Sequence, residues 1–318
     1  METNTNQLNR RQFITSAGLL SGMLMLAPGD LFAQKGSPVT MIIEEARKSA
    51  VKATKLRGNL TLLEGSGGNI ILSAGEKGNL MVDAGIDVSR EKIKAKIAEI
   101  NQVPLQLLIN THWHFDHASG NEWLNKDGAQ IIAHKNTAKW LGQTTRVDDW
   151  NYTFPPAPAN AVPSKVFDQE YELTFEDQVI RLKHYAPAHT DSDISVYFPD
   201  TDTLHVADTW WNGYYPFIDY NTGGSIQGMI KAADENVKTA SENTLVVPGH
   251  GPIGKKADLL RYRDMLVNIE TIVAKLKKSG MPLTDVINAR PTKAYDEQWG
   301  KFVIGPDFFT ALVYKGLD

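Results

Sequence analysis

The chain has 318 residues, of which 42% are hydrophobic and 22% charged, with a formal net charge of -4 and no cysteine. That length can bury a large core in one or two domains, and mild acidity without a basic block excludes a nucleic-acid footprint. The lack of cysteine excludes disulfides, a thiolate nucleophile and thiolate-held metals, so a transition metal here needs nitrogen and oxygen donors.

Residues 1–33 read as a leader rather than as part of the fold. Asn9-Arg10-Arg11-Gln12-Phe13-Ile14 precedes a moderately apolar run over 16–26, then Ala27-Pro28-Gly29 and Leu31-Phe32-Ala33. The pattern resembles a twin-arginine export signal; the alternative is a disordered tail with a chance arginine pair. The resemblance implies a periplasmic or otherwise exported protein. The apolar run is too short for a stable membrane span.

Residues 40–56 have the spacing and charge mix of an amphipathic helix. Three β-like runs follow, at 59–63, 69–73 and 79–83, punctuated by Gly65, Gly67, Gly68, Gly75 and Gly78 as in a meander of hairpins. Ser89 is placed to cap a helix through Ile100, with Glu91 in its first turn. A strand at 105–110 comes next. Helical spacing at 118–124 and 137–141 brackets a strand at 129–133. Residues 143–164, with Trp150, Tyr152, Phe154 and four prolines, form a long irregular excursion, which in a compact domain is a lid or a disordered loop; the aromatics favour the lid. Further strands are expected at 171–175, 178–184, 194–198, 203–206 and 244–247. Helices are expected at 225–239 and 256–278, the second ending near Gly280, and residues 281–318 carry a short helix and an aromatic tail. Two sheets packed face to face with helices outside accommodate this order.

The stretch that organises the rest is Thr111-His112-Trp113-His114-Phe115-Asp116-His117, at the C-terminal end of the buried strand 105–110. If the backbone stays extended, His112, His114 and Asp116 share a face and His117 points elsewhere. Three imidazoles and a carboxylate so close together suit a metal better than a core or a merely histidine-rich loop. Three more signals follow apolar runs: Ala188-His189-Thr190-Asp191, His205-Val206-Ala207-Asp208 and Pro248-Gly249-His250-Gly251. His134 and His184 stand alone near strand ends, and His205 lies inside a strand; these three read as structural or supporting.

Together these motifs, with Asp83 and Gly85 as an early Asp-x-Gly, resemble the metallo-β-lactamase superfamily over residues 59–253. The resemblance implies an α/β (α+β) fold, a four-layer αββα sandwich, with 34–318 as a single hydrolase domain and the site at one edge of the two sheets. It implies two divalent metal ions, zinc by default with iron or manganese as alternatives. His112, His114 and His189 would hold one, Asp116, His117 and His250 the other, and Asp208 would bridge them. Asp83 would orient a ligand histidine. Aspartate at position 208 is similar to glyoxalase II and the lactonases rather than to most true β-lactamases, which carry Cys or Ser there.

The implied activity is hydrolysis of a small-molecule ester, lactone, thioester or amide by a metal-bridging hydroxide, with Asp116 orienting that hydroxide or taking its proton. Alternatives are a β-lactamase-like activity, an iron-dependent sulfur dioxygenase, and a non-catalytic metal-binding protein. Trp210, Trp211, Tyr214, Tyr215 and Phe217, close behind Asp208, are either a core patch or a substrate-pocket wall. Trp113 and Phe115 could join that wall, and Trp150 and Tyr152 could close over it. The oligomeric state is not legible.

Overall fold

The computed structural model describes residues 37–317, so the twin-arginine segment lies outside the described residues. The elements run α1 (Pro38–Lys48), β1 (Lys52–Lys55), β2 (Leu60–Glu64), β3 (Ile70–Ala74), β4 (Asn79–Val82), α2 (Arg90–Ile100), β5 (Leu105–Ile109), α3 (Phe115–Ala118), α4 (Asn121–Lys126), β6 (Gln130–His134), α5 (Lys135–Leu141), β7 (Thr145–Val147), β8 (Tyr152–Phe154) and β9 (Lys165–Phe167). They continue with β10 (Glu170–Phe175), β11 (Gln178–His184), β12 (Ile194–Phe198), β13 (Thr203–Trp211), α6 (Ile226–Thr239), β14 (Leu245–His250), α7 (Lys256–Lys278), α8 (Leu283–Asn288), α9 (Asp296–Trp299) and α10 (Pro306–Lys315).

The strands form a seven-stranded sheet in the order β1-β2-β3-β4-β5-β6-β9 and a five-stranded sheet in the order β10-β11-β12-β13-β14; β7 and β8 make a separate hairpin. Each sheet begins as an antiparallel meander and ends in parallel strands. The period-two geometry of a strand sorts side chains between layers. Leu60, Leu62, Ile71, Leu80 and Val82 meet Ile180, Leu182, Val196 and Val247 in the middle layer. Their neighbours Leu63, Ile70, Leu72 and Met81 face Ile93 of α2 and Trp123 and Leu124 of α4. On the far side Leu204, Val206 and Val246 face Met229 of α6, Met265 and Ile269 of α7 and Phe309 of α10. The result is the expected αββα order. Strands such as β2, β3 and β4 are covered on both faces and read as apolar runs, whereas β10 and β11 alternate in exposure.

Three local expectations are corrected. The helix expected over 40–56 ends at Lys48, and Lys52–Lys55 form an edge strand with every residue exposed, so no hydrophobic period marked it. Ser89 does not cap α2 through its side chain; its hydroxyl donates to Ala46 O and ties α1 to the sheet helices. The 143–164 excursion is not wholly irregular, since it contains the β7–β8 hairpin.

His134, ending β6 of the first sheet, and His184, ending β11 of the second, form a stacked pair, ring centroids 3.7 Å apart and 8° from parallel. His134 is buried, and its Nδ1 accepts from Asn136 N at the start of α5. Burial, then His184, lowers its pKa from 6.5 to about 4. The unfolded chain therefore binds this proton more readily. The associated stability is complete above pH 6.5 and is lost as pH falls to about 4. After discounting for partial solvation it amounts to about 2 kcal/mol. His134→Asn keeps a capping acceptor and removes the titration. Urea unfolding followed across that pH window should show a flatter profile for the variant, and an unchanged slope would remove His134 as the cause.

Candidate metal centre

The histidine cluster follows β5, but the backbone does not stay extended. His114 is the last extended residue (φ -60, ψ 149), and Phe115–Ala118 make one helical turn. The expectation that His117 points away from its neighbours is thus overturned. The turn swings its ring beside His112, with centroids 4.3 Å apart. Backbone bonds Gly68 N to Asp116 O (3.2 Å) and Ala84 N to His117 O (2.7 Å) hold the turn against the loops after β2 and β4.

The second sheet brings the other donors to the same edge. His189 sits in the loop after β11, where Thr190 N donates to Asp193 Oδ2. Asp208 lies inside β13, two residues beyond where a strand was expected to stop. It is re-aimed by a bulge at Ala207, which has a positive φ of 47°. His250 is the final residue of β14.

Donor atoms of His112, His114, His189 and Asp208 lie within 4.8 Å of one another, as do those of Asp116, His117 and His250. Asp208 faces both groups. Its Oδ1 is 3.1 Å from His117 Nε2, and its Oδ2 is 3.4 Å from His189 Nε2 and 3.3 Å from His250 Nε2. Asp116 Oδ2 is 3.3 Å from His250 Nε2.

Each of four rings is anchored by its other nitrogen, which assigns the tautomers. His117 Nδ1 donates to Asp83 Oδ2 (2.8 Å), His189 Nδ1 to Phe217 O (2.8 Å) and His114 Nε2 to Asp219 Oδ2 (3.1 Å). Thr111 gives its hydroxyl proton to Asp83 Oδ2, so its oxygen accepts from His112 Nδ1 at 3.1 Å. In the neutral rings the nitrogens left facing inward would be lone pairs. Those of His114 Nδ1 and His189 Nε2 stand 2.8 Å apart. His112 Nε2, His117 Nε2, His250 Nε2 and Asp208 Oδ1 are buried without a hydrogen-bond partner. Acceptors crowded in this way need protons or a cation between them, and this all-N/O set fits divalent metals.

Titration follows from the same crowding. Burial lowers His112, and His117 lowers it further. Burial opposes charge on His117 too, but Asp208, Asp116 and Asp83 together raise it well above the ordinary imidazole value. His250 is raised to about 9 in the same way, against burial, by Asp208 and Asp116. Burial would raise the Asp208 carboxyl, yet His250, His117 and His189 hold it well below the usual range. Asp116 is likewise lowered, chiefly by His117 and His250 against burial. Divalent ions entering this set should displace protons from His117 and His250.

Asp83 (φ 64°) receives Thr111 N at 2.7 Å as well as His117 and the Thr111 hydroxyl. Asp83→Asn should weaken metal binding by about ten- to a hundredfold, because an amide cannot take all three protons. Competition with a chromophoric chelator measures this; an unchanged affinity would show that His117 needs no such anchor.

The cleft over the centre has a volume of about 50 Å3 and is lined by Ile42, Gly67, Trp150, Trp211, Phe302 and Val303 together with Asp116, Asp208 and His250. Of the expected wall, Trp150 and Trp211 are in it. Trp113, Phe115 and Tyr214 stand behind: Trp113 donates from Nε1 to Thr222 Oγ1, Phe115 packs on Trp150 and Phe154, and Tyr214 stacks on Phe302. Trp210 and Tyr215 belong to the core instead. Trp210 is fully buried beneath the outer helices, and the Tyr215 ring stacks on Phe309 at 4.7 Å. Successive β13 residues point to opposite faces, so Trp210 and Trp211 could not both face the cleft.

Trp150 is fixed rather than free, stacked on Phe217 at 4.5 Å with its carbonyl accepting from Ser37 Oγ. His205 is structural, its Nε2 bonded to Asn69 O. Sequence reasoning missed Asp219, Ile42, Phe302 and Val303. Asp219 had one signal, a lone carboxylate ending the apolar run Tyr215-Pro216-Phe217-Ile218; the others had none.

Comparison with known proteins adds three findings. A family model described as the metallo-beta-lactamase superfamily matches residues 63–250. The chain is 27% identical over 175 residues to a probable metallo-hydrolase, YqgX, of Bacillus subtilis, covering 54% of this chain and 79% of that one. It is 25% identical over 203 residues to a hydroxyacylglutathione hydrolase of Pelagibacter ubique, covering 61% and 74%. Among solved structures, a metallo-beta-lactamase from Pontibacter korlensis superposes with a TM-score of 0.55 at 17% identity, over 69% of this chain and 99% of that one. The DIM-1 metallo-beta-lactamase gives 0.55 at 20% identity, over 68% and 97%.

Proposed function

This chain belongs to the metallo-beta-lactamase superfamily and is a hydrolase of that fold, and we propose that it is an exported binuclear enzyme acting on a small ester, lactone, thioester or amide. The observation that carries the binuclear reading is Asp208. Its two oxygens face two groups of inward lone pairs, 3.1 Å from His117 Nε2 on one side and 3.4 Å from His189 Nε2 on the other.

Two divalent cations held there would supply a hydroxide at neutral pH and polarise the substrate carbonyl. The protein's own part is positional. Asp83, Asp219 and the Phe217 carbonyl keep His117, His114 and His189 aimed inward without rearrangement during the reaction. Asp116 lines the cleft, and its carboxylate would orient the attacking water and accept its proton. Trp150 and Trp211 narrow the approach and exclude bulk water. An aspartate at position 208 supports ester- or thioester-type substrates over β-lactams, and the likeness to a hydroxyacylglutathione hydrolase agrees with that preference. Zinc is the metal proposed. Among the described residues no helix is long and apolar enough to cross a membrane.

Elemental analysis of the purified protein, paired with turnover of a lactone and a chromogenic β-lactam, tests this reading. About two zinc ions per chain with lactone hydrolysis is the expected result. About one iron per chain with neither substrate turned over would replace hydrolysis by oxidative chemistry.

A further inference from the structure

The apolar wall of the cleft comes from four separate places in the chain. Ile42 belongs to α1, Trp150 to the excursion before β8, Trp211 to the end of β13, and Phe302 and Val303 to the loop between α9 and α10. Among the described residues, every charged group lining the cleft is one of the candidate metal donors, and no lysine or arginine lines it. Ile42, Phe302 and Val303 also lie outside residues 63–250, the part matched by the family model. The candidate donors thus lie inside the matched span, whereas Ile42, Phe302 and Val303 lie outside it.

Phe302 is unusual within that wall. It is 43% exposed, although Ile304, two residues on, is fully buried and anchors the loop in the core. Its ring stacks on Tyr214 at 4.5 Å and reaches towards Trp211 (6.1 Å) and His250 (6.2 Å). A large apolar side chain held half in water at the mouth of a cleft gains most when a second apolar surface covers it.

We propose that the cleft selects substrates with an uncharged, apolar group beside the reacting bond, and that Phe302 is the residue that sets this preference. The proposal rests on the hydrolase reading only for the bond that reacts. A carboxylate entering among Ile42, Trp211, Phe302 and Val303 would give up water without meeting a cation from the wall. An alkyl chain of the same length would instead cover Phe302 and Trp211.

Two probes of equal length make the test: 4-nitrophenyl butyrate and 4-nitrophenyl hemisuccinate, the second carrying a terminal carboxylate. The metal-loaded full-length protein should prefer the butyrate by at least about tenfold in kcat/KM. Phe302→Ala should lose about tenfold on the butyrate, mainly through KM, and narrow the ratio between the probes. Phe302→Leu should restore most of the loss, and Phe302→Lys should move the preference towards the hemisuccinate. Thermal melting of each variant checks the fold.

Equal turnover of the two esters, or a ratio unmoved in Phe302→Ala, would overturn the proposal. Binding is read independently of turnover, by quenching of tryptophan fluorescence with N-phenylbutanamide and N-phenylsuccinamic acid. Hydrolysis of neither ester with the neutral amide still bound at least about tenfold tighter would reject the hydrolase reading and retain the selective cleft. Equal binding of the two amides would reject the cleft.

Discussion

Asp208→Ala should cost the protein its metal and its activity together. Among the described residues the carboxylate is the one side chain whose oxygens approach both donor groups, and it is 1% exposed, so water cannot easily stand in for it. Its removal also strips His117 and His250 of the strongest influence favouring their protonated forms, leaving a cluster with fewer anions to balance divalent charge. Metal content should fall from about two per chain to one or fewer, and kcat/KM by at least about 10³-fold, since several kcal/mol of electrostatic stabilisation depend on the pair. Melting in excess chelator separates this from misfolding, because the metal-free parent and variant can be compared directly. Two metals retained with full turnover would sink the bridging assignment.

Gly249→Ala is expected to be nearly as damaging, although glycine carries no chemistry. A Cβ at that position would stand 1.9 Å from Asp208 Oδ1, 2.7 Å from the Ala207 carbonyl carbon and 2.8 Å from Asp208 N. Two of those three atoms are backbone in the paired strand β13, so they cannot swing aside. Gly249 O also receives Asn69 N at 2.8 Å, which pins the loop from the first sheet. The methyl group must therefore displace Asp208 or part β13 from β14, at a cost of about 3 kcal/mol. Calorimetry should show a lowered melting temperature, and elemental analysis a lowered metal content. Gly305→Ala, where a Cβ meets nothing within 4 Å, is the control and should change stability by no more than about 1 kcal/mol. Parental metal content and melting temperature in Gly249→Ala would show that the strands yield more easily than their pairing implies.

What the sequence revealed about this centre, and what it hid, follows from range. The donors were legible because imidazoles and carboxylates beside short apolar runs have few structural uses. Their directions were not. The alternation rule failed at Phe115, where one helical turn brings His117 back beside His112. Nothing in Phe115-Asp116-His117-Ala118 announces a turn that is held by Gly68 and Ala84 from other loops. Strand β1 was invisible because Lys52-Ala53-Thr54-Lys55 buries nothing and pairs only along a sheet edge. Asp219 and Phe302 act through contacts more than fifty residues away in sequence, on His114 and His250, and local pattern carries no trace of such contacts. The layer order was readable because apolar runs covered on both faces imply helices outside two sheets.

The donors come from both sheets: His112, His114, Asp116 and His117 from the first, and His189, Asp208 and His250 from the second. This has a kinetic consequence. No ion can find a full set of partners until the two sheets have docked. If that docking follows the transition state, metal should leave the refolding rate nearly untouched and slow unfolding instead, which stopped-flow refolding and unfolding with and without metal would read. Bound ions would then act as a latch across the sandwich, prolonging the life of a molecule that has already folded.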